Sequence, residues 1–239
     1  MSTPGRLALV GGSPATAAMD PVHAWLVDGR APRRVQIVNA VGLEGNRVIA
    51  EWRADGERRA QQLSEEHVVV PVRTRAEADS AEVAGILAGA GLITIHAQSS
   101  ENLIRTIRGT ALWSAVLAAL RDGASVCASG VAAMALGGVV PDVRPQDRLL
   151  GLGLVPGLAL LPDVDGLGSS IPHAVLAPLA EADEDVTVVG LDTDTALVGS
   201  GPADDGRWEF RALGRGSAWV IAPERRRRVL APLRLAVRA

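Results

Sequence analysis

Ser125-Val-Cys-Ala-Ser-Gly-Val-Ala-Ala-Met-Ala-Leu-Gly137 reads as a short buried strand that turns sharply, at Ser129-Gly130, into a helix of small residues. A strand-to-helix turn of this kind lifts one side chain above the edge of a sheet. It also points the first free backbone N–H groups of the helix at the same place. What the chain does therefore depends on which residue stands at the apex.

Working outward from that unit, the preceding segments alternate between strand and helix patterns. Arg6-Leu-Ala-Leu-Val-Gly-Gly12 is an apolar run ending in paired glycines, expected as a first parallel strand with a tight turn. Arg34-Val-Gln-Ile-Val-Asn-Ala-Val41 repeats the pattern, residues 43–63 read as a helix, and His67-Val-Val-Val-Pro-Val-Arg73 as a strand end. A helix is expected over 77–89, with Val83, Ile86 and Leu87 on one stripe, then a strand at Leu92-Ile-Thr-Ile-His96. Helices over 101–107 and 111–121 follow, the second closed by Asp122-Gly123. This alternation predicts a three-layer α/β fold, a mostly parallel sheet covered on both faces.

After Gly138 the rhythm changes. Residues 149–161 form a Gly/Leu strand-like run, and 172–181 read as a helix. Val186-Thr-Val-Val-Gly190, Thr195-Ala-Leu-Val198 and Ala218-Trp-Val-Ile221 read as strands of a C-terminal β extension. Without an internal repeat or a long linker, one domain spanning 1–239 is expected.

Composition removes whole classes of chemistry. All 24 basic residues are arginine, so neither a Schiff base nor a lysine base is available, and with no tyrosine there is no phenolic acid. The single Cys127 excludes an internal disulfide and any multi-cysteine metal site, which suits a reducing cytoplasm. Net charge −3 gives no bulk attraction to nucleic acid, and the basic run Arg225 to Arg228 reads as a solvated face or sheet-edge charge, or else as an anion or partner contact. No run approaches the roughly 18 apolar residues of a membrane span, so neither a membrane nor a secretory signal is expected. A phosphate-binding lysine loop is impossible, no full dinucleotide fingerprint is present, and no His/Asp metal spacing stands on one helix, so no cofactor or metal is expected.

From Gly11-Gly12 through Ile221 the order of motifs resembles the peptidase S51 family, the cyanophycinase and dipeptidase E group. These proteins are flavodoxin-like and related to class I glutamine amidotransferases. The most specific matches are Gly190-Leu-Asp-Thr-Asp-Thr-Ala-Leu197 and Gly214-Arg-Gly-Ser-Ala-Trp-Val-Ile221, similar to the family's Gly-Ile-Asp-Glu-x-Thr-Ala-Leu strand and its Gly-x-Gly turn before the last strand. Leu152-Gly-Leu-Val-Pro-Gly157, Arg108-Gly-Thr-Ala-Leu112 and Ala133-Met-Ala-Leu-Gly137 agree as well. The resemblance implies a serine hydrolase fold, but its catalytic positions are changed. The family elbow Gly-x-Ser-Ala-Gly-Ala places Gly130 where the nucleophilic serine should stand. The Asp-Gln-His-Phe motif falls on Leu161-Pro-Asp-Val164, so Asp163 replaces the histidine. The Gly-Gly-Asn/Asp-Gln substrate loop aligns with Ala97-Gln98-Ser99-Ser100, and the arginines that normally follow the histidine give way to residues 166–170.

Each remaining candidate has a structural and a functional reading. Ser129 either caps the helix through Val131 or Ala132 N–H or acts as a displaced nucleophile, with His96 or His173 as base. Cys127, between small apolar neighbours, reads as core, and a nucleophilic role would need a depressed pKa and exposure. His96 ends a predicted parallel strand, where open α/β sheets bind ligands. His173 follows Pro172 at a helix start, while His23 and His67 have no companion motif. Asp142, Asp147 and Asp163 read as turn caps or loop solvation, with Asp142 or Asp147 alternatively a relic of a triad acid. Gly12, Ala97, Gln98, Ser99, Gly130 and Val131 form the expected ligand-binding set. Three functions are open: a degenerate family member that binds a small molecule or peptide, regulates or assembles as a homo- or hetero-oligomer; a rewired serine hydrolase; or a non-hydrolytic enzyme with His96 and Asp163 as acid and base.

Overall fold

The computed structural model describes residues 4–141, 149–167, 186–201, 207–222, 225–229 and 233–236. Strands β1 (Arg6–Val10), β2 (Arg33–Asn39), β3 (Glu66–Pro71), β4 (Leu92–Ala97) and β5 (Ser125–Ser129) run parallel in the spatial order β3-β2-β4-β5-β1. β1, β2, β4 and β5 are almost continuously buried, as expected of strands covered on both faces, while the edge strand β3 is mostly half-buried. Beyond β1 the sheet continues antiparallel through β8 (Thr195–Ser200), β9 (Arg207–Gly214) and β12 (Leu233–Ala236). A second sheet, ordered β11-β10-β7-β6, joins β6 (Leu158–Leu161), β7 (Thr187–Leu191), β10 (Ala218–Ala222) and β11 (Arg225–Arg228). The arginine run thus forms an edge strand, a common place for charge. The expected α/β architecture with a mostly parallel sheet and a C-terminal β extension is present.

Two helical layers enclose the main sheet. On one face lie α1 (Asp20–Val27), with Pro21 in its first turn, and α2 (Gly42–Leu63). Val22 and Leu26 of α1 pack with Ala8, Val10, Leu92 and Cys127 of the strands, and Ile49 of α2 packs with Val38. On the other face lie α3 (Arg75–Ala78), α4 (Ala81–Gly85), α5 (Ser100–Ile107), α6 (Ala111–Arg121) and α7 (Val131–Ala135), over the largest apolar cluster. No single helix among the described residues is long and apolar enough to cross a membrane.

Two expectations are corrected. The helix predicted over 77–89 is instead α3 and α4. Thr74 and Glu77 close a capping box, Ser80 starts the second helix by accepting from Val83 N, and the intervening Asp79 carboxylate accepts from Ala111 N at the head of α6. The strand predicted over 149–161 is reduced to β6. The N–H groups of Leu152, Gly153 and Val155 bond to the carbonyls of Ala135, Gly137 and Leu136, satisfying the end of α7 rather than a sheet. The helix predicted over 172–181 lies outside the described residues, as do Asp142 and Asp147.

Candidate functional site

At the apex of the β5–α7 turn stands Gly130, with φ 53° and ψ −126°, a backbone conformation that side-chain-bearing residues rarely adopt. Its N–H donates to Val10 O at 2.9 Å, which ties the elbow to the end of β1. A Cβ built on Gly130 would meet no atom within 4 Å, so the apex opens on free space yet carries no functional group.

Ser129, one residue earlier, is set by strand alternation on the same side as Ser125 and Cys127. That is the side facing α1, since Ser125 Oγ donates to Leu26 O of that helix at 2.6 Å. The residue capping α7 is Gly130 and no side-chain cap bond is made, so the helix-cap reading of Ser129 is corrected. Its hydroxyl makes no hydrogen bond to a histidine among the described residues.

Beneath the elbow, between the sheet and α1/α2, lies a cavity of about 300 Å³. Register explains its polar wall. Arg34 and Gln36 on β2 pair with Leu92 and Thr94 on β4, and Thr94 with Cys127 on β5, so these side chains share one sheet face. His96 continues the row toward the elbow, and its ring lies under Trp52 of α2 with centroids 5.4 Å apart. His23 of α1 and Asp55 and Arg59 of α2 complete the helical side, while Gly12, Ala97, Ser129, Gly130 and Val131 form the end nearest the elbow.

Four charged residues line the cavity: Arg34 on the sheet side, and Arg59, Glu51 and Asp55 on α2. Arg34, 2% exposed, donates from Nε and Nη2 to Glu65 Oε2 at 2.9 and 2.6 Å. Arg59 pairs with Asp20, whose own side chain is 60% exposed. Burial, with the Arg34 guanidinium second, lowers the pKa of His96 to about 4. Burial followed by Arg34 and Arg59 lowers His23 to about 3. Both rings are therefore neutral at pH 7. Burial pushes the Cys127 thiol up to about 12, which removes it as a nucleophile.

Asp163 lies at the edge of this region. A Cβ on Gly12 would stand 2.9 Å from its Oδ1, which accepts from Thr193 Oγ1 at 3.2 Å. Burial raises its pKa against the effect of that hydrogen bond. Gln98 and Ser99 do not line the cavity: Gln98 Oε1 accepts from Val41 N, and Ser99 caps α5 by accepting from Asn102 N. His173 lies outside the described residues. His67 donates from Nε2 to Gln36 Oε1, because Gln36 Nε2 is itself donated to Trp52 O. Among the described residues no group of three or more His, Cys, Asp or Glu could hold a metal ion.

The sequence reading missed Arg34, Gln36, Trp52, Thr94 and Arg59 as cavity residues. Their signal was the alternation of Arg34 and Gln36 with Val35 and Ile37, since polar residues at every second position of a buried strand mark a polar space on one face. The motif with the closest match to the resembled family is structural here. Asp192 accepts from Ser217 N and Trp219 Nε1 at 2.9 Å each, tying the turn before β10 to the end of β7.

No family model and no curated protein matches the chain. Among solved structures it is similar to a peptidase from an acI-B1 Actinobacterium, with TM-score 0.83, 24% identity and 98% of each chain covered. It is also similar to a peptidase E-like protein from Listeria monocytogenes EGD-e, with TM-score 0.57, 11% identity, and 88% of this chain and 98% of that one covered. At these identities the likeness shows the fold, and both of these solved structures are described as peptidases.

Proposed function

We propose that this chain is a catalytically degenerate relative of the peptidase S51 group that binds a small ligand in the cavity beneath its elbow instead of hydrolysing one. The observation that carries this reading is Gly130 at the apex: a nucleophile-type turn without a nucleophile. Asp163 at the resembled histidine position supports it, because an acyl-transfer step needs a general base that can take a proton and later return it to the leaving group. The cavity supplies the positive side of the reading: a concave space with a few convergent polar side chains is where ligands bind in α/β folds.

One observation favours a second reading. Ser129 and His96 line the same cavity, as a displaced Ser–His pair would. Against it, a histidine held near pKa 4 is a weak base at neutral pH, and no hydrogen bond joins the two among the described residues. The test is amine release from a panel of dipeptides and amino-acid amides at neutral pH, comparing the native chain with Ser129→Ala. The expected result is no release above background from either. Release by the native chain that disappears in Ser129→Ala would replace the binding reading with the hydrolase.

A further inference from the structure

The unpartnered polar groups converge on one place. Among the described residues ten polar or charged residues are buried as a whole, and five of these, His23, Arg34, Gln36, Thr94 and His96, border the cavity beneath α2. His23 Nε2 is engaged with Pro14 O, and the Gln36 carboxamide is spent between Trp52 O and His67. Arg34 Nη1, Thr94 Oγ1 and the His96 ring nitrogens make no hydrogen bond among the described residues. They are also absent from the polar atoms sealed without a partner, which are His23 Nδ1, Arg30 Nε and Glu65 Oε1, so they border the open space. Buried polar groups in folded proteins are paired in the great majority of cases. Three left open on one cavity amount to binding capacity awaiting an occupant.

We propose that this cavity takes a small carboxylate monoanion with a flat apolar body. The carboxylate lies inward, toward Arg34 and Thr94 with Arg59 beside them, and the body lies against Trp52 and His96. This deepens, and rests on, the binding reading of the same site.

Three features select the ligand class. The sign at the inner end is set by the two guanidiniums on that wall, whose counterions lie behind it: Glu65 does not line the cavity and Asp20 faces outward. The amount of charge is set by the same pairing. Each arginine already shares a carboxylate, so the remaining field suits one negative charge better than the two of a phosphate. At the helical side Glu51 and Asp55, paired with Arg47 and Arg58, disfavour a second anionic group at the ligand's other end. The shape is set by the Trp52 and His96 rings, inclined at 31°, and by a volume of about 300 Å³, which is at the small end of the range for small-molecule sites.

The experiment is titration of the intact chain with benzoate, read by tryptophan fluorescence and by calorimetry, alongside its neutral isostere benzamide and inorganic phosphate. Trp52→Phe assigns the optical change. Arg59→Gln removes one wall cation whose partner is exposed, and the double variant Arg34→Met/Glu65→Leu removes both charges of the buried pair together, so that neither is left uncompensated. The expected result is saturable benzoate binding, with benzamide and phosphate weaker by about tenfold or more, and a loss of about tenfold or more in Arg59→Gln and in the folded double variant. Benzamide binding as tightly as benzoate would overturn the anion and leave a neutral-ligand pocket. Phosphate binding more tightly would overturn the carboxylate. Absence of saturable benzoate binding, or full benzoate affinity in Arg59→Gln, would overturn the proposal. Amine release that requires Ser129 would instead overturn the non-catalytic reading and leave the anion site standing.

Discussion

At the scale of single residues, position 130 holds the functional argument. Because an added Cβ would meet no atom within 4 Å, Gly130→Ala meets only the cost of its backbone conformation, about 1–3 kcal/mol. The variant is expected to fold and to melt at a lower temperature, and an unchanged melting temperature would mean that the elbow is relaxed. The neutral histidines make a second residue-scale prediction. The His96 and His23 pKa values fall from 6.5 to about 4 and about 3 on folding. Between pH 6.5 and those values the unfolded chain holds more protons, so stability is complete above 6.5 and is lost as pH falls toward 4 and 3. The loss is at most about 1.4 kcal/mol per pH unit for each ring. Urea denaturation across this range should show that slope, and His96→Asn should make it shallower. An equally steep slope in His96→Asn would place the acid sensitivity elsewhere. The glycine at the apex was legible in the sequence because the flanking small residues fix the turn. Arg34 was not, because a buried arginine inside an apolar strand becomes intelligible only when Glu65, 31 residues away, is seen to reach it.

At the scale of elements, α2 shows how closely one layer is fitted over the cavity. A Cβ on Gly56 would come within 2.5 Å of Gln36 Oε1 and 2.7 Å of His67 Nε2, two atoms already bonded to each other. Gly→Ala in an exposed helix gains about 1 kcal/mol. Here Gly56→Ala must displace that hydrogen bond or lift the helix, so a net loss of stability is expected in thermal denaturation, and a raised melting temperature would contradict the close approach. The same element also shows what periodicity conveys. Residues 43–63 read as a helix from a mixed polar pattern and α2 is one, and 111–121 matches α6, whose Leu112, Trp113, Val116 and Leu120 form a buried apolar stripe. The segment over 77–89 did not, although its capping signals were present in Thr74-Arg-Ala-Glu77 and Ser80, since an apolar stripe outweighs a cap when only spacing is weighed. The run over 149–157 misled for another reason: its Gly/Leu pattern suits a strand, while its N–H groups serve the end of a helix that the local sequence does not reveal.

At the scale of the whole molecule, alternation of strand and helix predicted the parallel half of the main sheet and the helices on both its faces. It could not predict which late strands join which sheet. Residues 158–161 and 187–191 leave to form the second sheet with 218–222, while β9 and β12 extend the first, and such choices rest on pairings between distant segments. The fold that results has a sharp strand-to-helix elbow tied to β1, a cavity below it, and Gly130 at the apex. The most direct measurement is reaction of the intact chain with a fluorophosphonate serine-hydrolase probe, read by intact mass beside Ser129→Ala and Cys127→Ala. The account predicts no adduct on any of the three. An adduct on the native chain and on Cys127→Ala, absent from Ser129→Ala, would contradict it and place an active nucleophile one residue before the apex.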